Sequence, residues 1–162
     1  MCDCREERVT LALNYFHQGY NCSQAVFAAF ADVCGLTEEK ALKLASPLGA
    51  GIGRMREVCG AFCGLSLLAG DLFGNTSPTP EEKEKVFSLV QDMASAFKRE
   101  FGTLYCRDLL GLTPEHMAKE TPRPGDRTST YYHTRPCERC VALCARLGAE
   151  LVARTQEHGR PL

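Results

Sequence analysis

Tryptophan is absent from this 162-residue chain, and histidine occurs only four times. No run of one charge sign stands out: 19 basic residues meet 20 acidic ones, for a formal net charge of −1. That balance gives no electrostatic basis for binding nucleic acid or an anionic membrane surface. No stretch reaches roughly 18 uninterrupted apolar residues, so membrane insertion is not expected. The opening MCDCREERVT is polar and mixed in charge, without the apolar core of a secretion signal. A cytoplasmic protein with reduced cysteines is the resulting expectation. Period-two alternation is missing as well, which argues against strands. There is no CxxCH, so c-type haem attachment is excluded. The glycines of GAGIG, 49–53, lack both the spacing and the preceding strand of a dinucleotide fingerprint, and read as a flexible loop.

What the chain has in abundance is helix punctuation and sulfur. Val9, Ala12, Leu13 and Phe16 recur at helical spacing over 5–18, with Gly19 as a stop. Asn21 reads as an N-cap with Gln24 as its capping-box partner, opening a helix that runs toward Gly35. Thr37 caps a short acidic-start helix that ends near Pro47. A further helix is expected from about Met55 to Phe73. Thr79-Pro80-Glu81-Glu82 is a strong start for a long amphipathic helix that Gly102 ends. CRDLL, 106–110, reads as one short helix. Residues 113–135, with Pro114, Pro122 and Pro124, read as one long loop. Pro136 then opens the last helix. The expectation is an all-α, single-domain bundle of five or six helices over 1–162. Its core spans about 8–152, and residues 1–5 and 158–162 are expected to fray.

Ten cysteines in 162 residues, about 6%, fall below the roughly 8–10% of a secreted disulfide scaffold. In a reducing compartment such a number points to metal binding or redox chemistry. Cys22, Cys106 and Cys137 each fall in the first turn of an expected helix. The helix dipole and unclaimed N–H groups favour a thiolate there. Cys59 and Cys63 lie one turn apart in the CGAFCG box, with Cβ atoms about 5–6 Å from each other. A disulfide wants about 3.8 Å, so direct bridging is resisted, whereas a shared metal with Zn–S bonds of about 2.3 Å is within reach. Gly60, Ala61 and Gly64 clear side-chain bulk, either for tight helix packing or for a cluster or partner thiol. Cys137-x-x-Cys140 has ligand spacing and allows a CxxxC…CxxC zinc site with the box. Cys144 and Cys34 read as structural, and Cys2 and Cys4 as a terminal CxC without a fixed role. Of the histidines His17, His116, His133 and His158, His133 is the one nearest a cysteine worth testing.

These residues together resemble the C_GCAxxG_C_C family of bacterial and archaeal redox-active proteins. The matching segments are GYNCSQAVF with Cys22, CGAFCG with Cys59, YCRDLLG with Cys106 and the last-helix segment with Cys137. Cys140 is a competing counterpart for Cys137, and Cys63 fills a variable position of the box. The resemblance covers about 8–152. It implies a small helical protein whose cysteines are redox-active or hold a cluster, and a related domain occurs in a haem protein with an iron–sulfur centre.

Three functions compete. In the first, Cys22, Cys59, Cys106 and Cys137 bind an iron–sulfur cluster or another metal such as zinc, with Cys63 and Cys140 as alternates. In the second, the same four thiols are the working residues of a cofactor-free thiol–disulfide protein, as oxidoreductase or electron carrier. In the third, the chain is a helical interaction module, for instance a homodimer. No particular redox partner or substrate can be read from the residues.

Overall fold

The computed structural model describes residues 4–157. Nine α-helices follow one another there: α1 Cys4–His17, α2 Cys22–Ala28, α3 Glu38–Ala45, α4 Gly60–Phe73, α5 Pro80–Phe101, α6 Cys106–Leu109, α7 Pro114–Ala118, α8 Ser129–Thr134 and α9 Cys137–Glu157, with a 3-10 turn Ser46–Leu48 after α3. No strand occurs among the described residues, so the all-α expectation holds. The count exceeds five or six chiefly because 113–135 contains α7 and α8. Thr113-Pro114 and Thr128 each place a capping hydroxyl before a short helical run. Neither run buries a residue of its own, which is why no apolar stripe announced them.

Local signals set most boundaries. The Asn21 side chain accepts from the Gln24 amide at 2.9 Å, and Gln24 Oε1 accepts from the Asn21 amide at 3.1 Å, closing the capping box. Thr79 caps α5 with Pro80 in the first turn, and Gly102 ends it in the left-handed conformation at φ 79°. Two boundaries differ from expectation. The first helix begins at Cys4, inside the stretch expected to fray, while residues 1–3, including Cys2, and 158–162, including His158, lie outside the described residues. The second helix stops at Ala28 and continues to Gly35 as tight turns. Arg8 donates to the Ala29 carbonyl at 2.6 Å and forks onto Asp32, drawing that carbonyl out of a helical ladder.

One hydrophobic cluster runs from Val9 to Leu151. It is built by α1 on α9, α2 on α4 and α4 on α9, around the fully buried Phe16, Phe30, Leu65, Leu68, Phe97 and Val141. Each large side chain contributes about 2–3 kcal/mol when removed from water. Gly148 lets α9 approach so closely that a Cβ there would stand 2.8 Å from Phe30. Helix α5 buries only Met93 and Phe97 and rides on α4 through the edge-to-face pair Phe62–Phe97. Among the described residues no helix is long and apolar enough to cross a membrane.

Candidate functional site

Four cysteines stand at the N-termini of four helices. The Asn21 cap makes Cys22 the first residue of α2. Tyr105 precedes Cys106, the first residue of α6, and Pro136 precedes Cys137, the first of α9. Cys59 is the N-cap of α4, with φ −50° and ψ 127°. The helix expected from Met55 therefore begins at Gly60, and residues 55–59 do something else. Val58 forms an antiparallel bridge with Tyr105. The Cys59 amide donates to the Leu104 carbonyl at 2.8 Å, and the Cys106 amide to the Glu57 carbonyl at 2.6 Å. This two-rung clamp brings Cys59 and Cys106, 47 positions apart in the chain, to the same place.

The glycine-rich stretch is not a flexible loop but a left-handed turn. Ala50, Gly51, Ile52, Gly53 and Arg54 all have positive φ, and so does Arg56. Each non-glycine residue costs about 1–2 kcal/mol in that conformation, so the surroundings must hold it. Gly51 is buried against the Cys106 side chain; a Cβ there would lie 2.7 Å from Cys106 Cβ. Gly60 faces the Cys22 sulfur, which a Cβ would meet at 2.5 Å, while Gly64 faces the Ser23 carbonyl at 2.6 Å. The small residues of CGAFCG thus serve both roles considered for them: Gly64 admits α2 against α4, and Gly60 clears room for a thiol.

That room belongs to a cavity of about 510 Å³. Cys22, Cys59, Cys106, Cys137 and Cys140 line it. The stretch 120–127 and α8 line it as well, with Glu120, Pro122, Pro124, Gly125, Arg127 and Tyr131. Two latches hold that cover. Arg54 and Arg56 both bond Glu120, at 2.9 and 3.0 Å. Arg127 donates to the carbonyls of Phe16 and Tyr20 at 3.1 and 3.0 Å and stacks on Phe16 and Tyr131.

The thiolate-favouring helix ends are outweighed. Burial pushes the Cys22 thiol up to about 11 and the Cys137 thiol up to about 12. Mutual repulsion adds to this: Cys59 acts on Cys22, and Cys22, Cys59 and Cys106 all act on Cys137. The Cys59 thiol is raised well above its usual value, first by its hydrogen bond with Cys140 and then by burial. Burial also raises Cys106, with Arg56 pulling it down. Desolvation disfavours each thiolate, so four neutral thiols share one room.

The remaining candidates lie elsewhere. Cys63 sits beside the Val58 carbonyl at 3.8 Å and does not line the cavity. Cys144 is core, Cys34 half-buried and Cys4 exposed. No described histidine lines the cavity. His133 is exposed on α8, His17 bonds Glu138 and His116 belongs to the α7 cap. Sequence reasoning missed the arginines. Arg56 is 2% exposed, yet a lone arginine beside a glycine-rich segment gives no pattern to mark it.

Among the described residues no three His, Cys, Asp or Glu side chains are placed to hold a single metal ion. An iron–sulfur cluster spreads its cysteine ligands over separate irons. Five cysteines on a cavity where Gly60 clears room beside Cys22 supply a donor set of the kind such a cluster takes.

The described residues thus define an all-α protein with five thiols gathered on one cavity. The profile of the family described as "Putative redox-active protein (C_GCAxxG_C_C)" matches residues 20–151, and the chain belongs to this family. No curated protein and no solved structure matches the chain.

Proposed function

We propose that the cavity holds an iron–sulfur cluster through Cys22, Cys59, Cys106 and Cys137, and that the protein is a small redox protein built around it. The observation that carries this reading is the disposition of the thiols: four, from four helix N-termini, on one cavity that Gly60 helps to clear. A bound cluster supplies one-electron chemistry. The chain supplies the ligands and the charge balance for them. Metal binding strips the proton from each thiol, and each sulfur has a group that favours its anion. The Ala50 amide serves Cys22, and the Phe62 and Ala61 amides serve Cys59. The Arg56 guanidinium serves Cys106, and Arg135 serves Cys106 and Cys137. The cover formed by 120–127 and α8 limits water at the site, and the half-buried position of Cys137 leaves a side for an external redox partner.

Iron and acid-labile sulfide measured on protein purified without air test the proposal. Both are expected in stoichiometric amount, with serine at any of the four positions abolishing them and Cys140→Ser retaining them. Absence of both from the anaerobic protein sinks the cluster.

One observation favours a second reading, that of a thiol–disulfide protein. Cys140 is the first cause of the raised Cys59 thiol, which sets the two buried side chains next to each other in the wall. Oxidation forms one Sγ–Sγ bond and releases two protons and two electrons, which pass to an external disulfide. Treating cluster-free protein with a low-molecular-mass disulfide and mapping its peptides decides the matter. A Cys59–Cys140 crosslink that a dithiol reverses is expected, and its absence excludes the pair.

A further inference from the structure

The charge of the cavity is unlike that of the chain. Four guanidinium groups line it, those of Arg54, Arg56, Arg127 and Arg135, against one carboxylate, Glu120, and no lysine. Leaving the thiols aside, four positive side chains face one negative one. Most of the donors are committed. Arg54 and Arg56 share Glu120, and Arg54 Nε donates to the Thr121 carbonyl at 2.8 Å. Arg127 is spent on two carbonyls at the end of α1.

Arg135 is different. It lies half-buried between α8 and Pro136, with its guanidinium carbon 4.4 Å over the Tyr131 ring. Among the described residues it has that aromatic face but no carboxylate or carbonyl on its N–H edges. A guanidinium carries five donors in a planar fork that fits an oxyanion. The ring holds the fork in place without consuming a donor. It stands two residues from Cys137, on the same cavity as Cys106.

We propose that this arginine wall binds a small anionic molecule through a carboxylate or other oxyanion, with Arg135 as the docking group and Arg54, Arg56 and Arg127 supplying the field. The anion is seated beside Cys106 and Cys137. Its binding does not depend on the centre proposed above.

Calorimetric titration of the full chain, purified without air and kept at low ionic strength, tests the site, with inorganic phosphate and acetate as probes. Binding of either anion is expected; preference for phosphate assigns a tetrahedral oxyanion and preference for acetate a carboxylate. Arg135→Gln is expected to weaken binding by about tenfold or more, with Arg135→Lys recovering part of it. Arg99→Gln, on α5 away from the cavity, leaves it unchanged. Iron and sulfide are measured on every sample, and circular dichroism confirms that each variant is folded. Because Arg135 also faces Cys106 and Cys137, wild type and Arg135→Gln are compared at equal iron content, iron-free with iron-free and loaded with loaded. Iron-free protein that still binds phosphate or acetate defeats the cluster and leaves the anion site standing. Iron-loaded wild type that binds neither probe, or a folded Arg135→Gln with undiminished binding, overturns the anion site.

Discussion

Arg56 Nη1 stands 3.7 Å from the Cys106 sulfur, and both side chains are buried. The guanidinium opposes the burial that raises the Cys106 thiol. Arg56→Gln therefore moves the titration of Cys106 further up. In cluster-free protein the pH profile for alkylation of Cys106 shifts to higher pH, and the rate near neutrality falls. Stability drops as well, by about 2 kcal/mol, because Glu120 keeps only Arg54 as a partner. An unchanged alkylation profile would show that the contact has no electrostatic effect.

Two glycines of the same helix should respond in opposite directions. A Cβ on Gly60 meets the Cys22 sulfur at 2.5 Å and the Leu48 carbonyl at 2.9 Å, whereas one on Gly70 meets nothing within 4 Å. Gly60→Ala is expected to cost about 1–3 kcal/mol through overpacking and to lower the iron content of anaerobic protein. Gly70→Ala is expected to stabilise by about 0.5–1 kcal/mol through helix propensity alone. Denaturant midpoints of the two variants, compared at equal slope, read both effects.

Ser23 is fully buried, and its hydroxyl oxygen has no hydrogen-bond partner. Leaving such a group unpaired costs about 1–3 kcal/mol. Ser23→Ala removes the hydroxyl with little change of shape, so the variant should be more stable by about 1 kcal/mol. A loss of stability would mean that the hydroxyl has a partner in solution.

The raised thiols make cluster-free protein sensitive to alkali. In the unfolded chain a thiol titrates near 9.0, while folded Cys22 titrates at about 11 and folded Cys137 at about 12. Between these values the native state holds protons that the unfolded state has lost, so stability falls as pH rises. The contribution is complete below about pH 9 and disappears as pH passes through 11 to 12. Urea midpoints taken between pH 8 and pH 11, about the onset and the early part of this window, should decrease with pH. Serine at Cys22 or Cys137 should flatten the decline.

Much of the frame is legible because helix ends are local. The Asn21–Gln24 box, the Thr79-Pro80 start and the Gly102 stop each involve residues within a turn of one another, and each stands where the sequence puts it. The site is legible only in part. Cys22, Cys106 and Cys137 could be placed at helix starts from neighbouring caps and prolines. The start of α4 could not, because Val58 pairs with Tyr105 and nothing near Val58 encodes that partner. The same holds for the cover of the cavity. Its short helices are anchored through Arg54 and Arg56 to Glu120 and through Arg127 to the end of α1, contacts more than 60 positions apart in the chain. A scan for apolar periodicity sees only prolines and polar residues there. The arginines were missed for a related reason: burial of a charge follows from the partners that the fold gathers, not from the residue's own neighbours.

The position of Cys137 at the head of α9 has a consequence for how the protein is made. Cys22, Cys59 and Cys106 leave the ribosome first, but the wall that faces them comes with the last helix, which also packs on α1 and α4. A nascent chain that has reached residue 135 carries three of the four thiols and no closed cavity. The cavity is therefore completed only once α9 has been made, and a truncation upstream of Pro136 lacks both the Cys137 thiol and the helix that closes the wall.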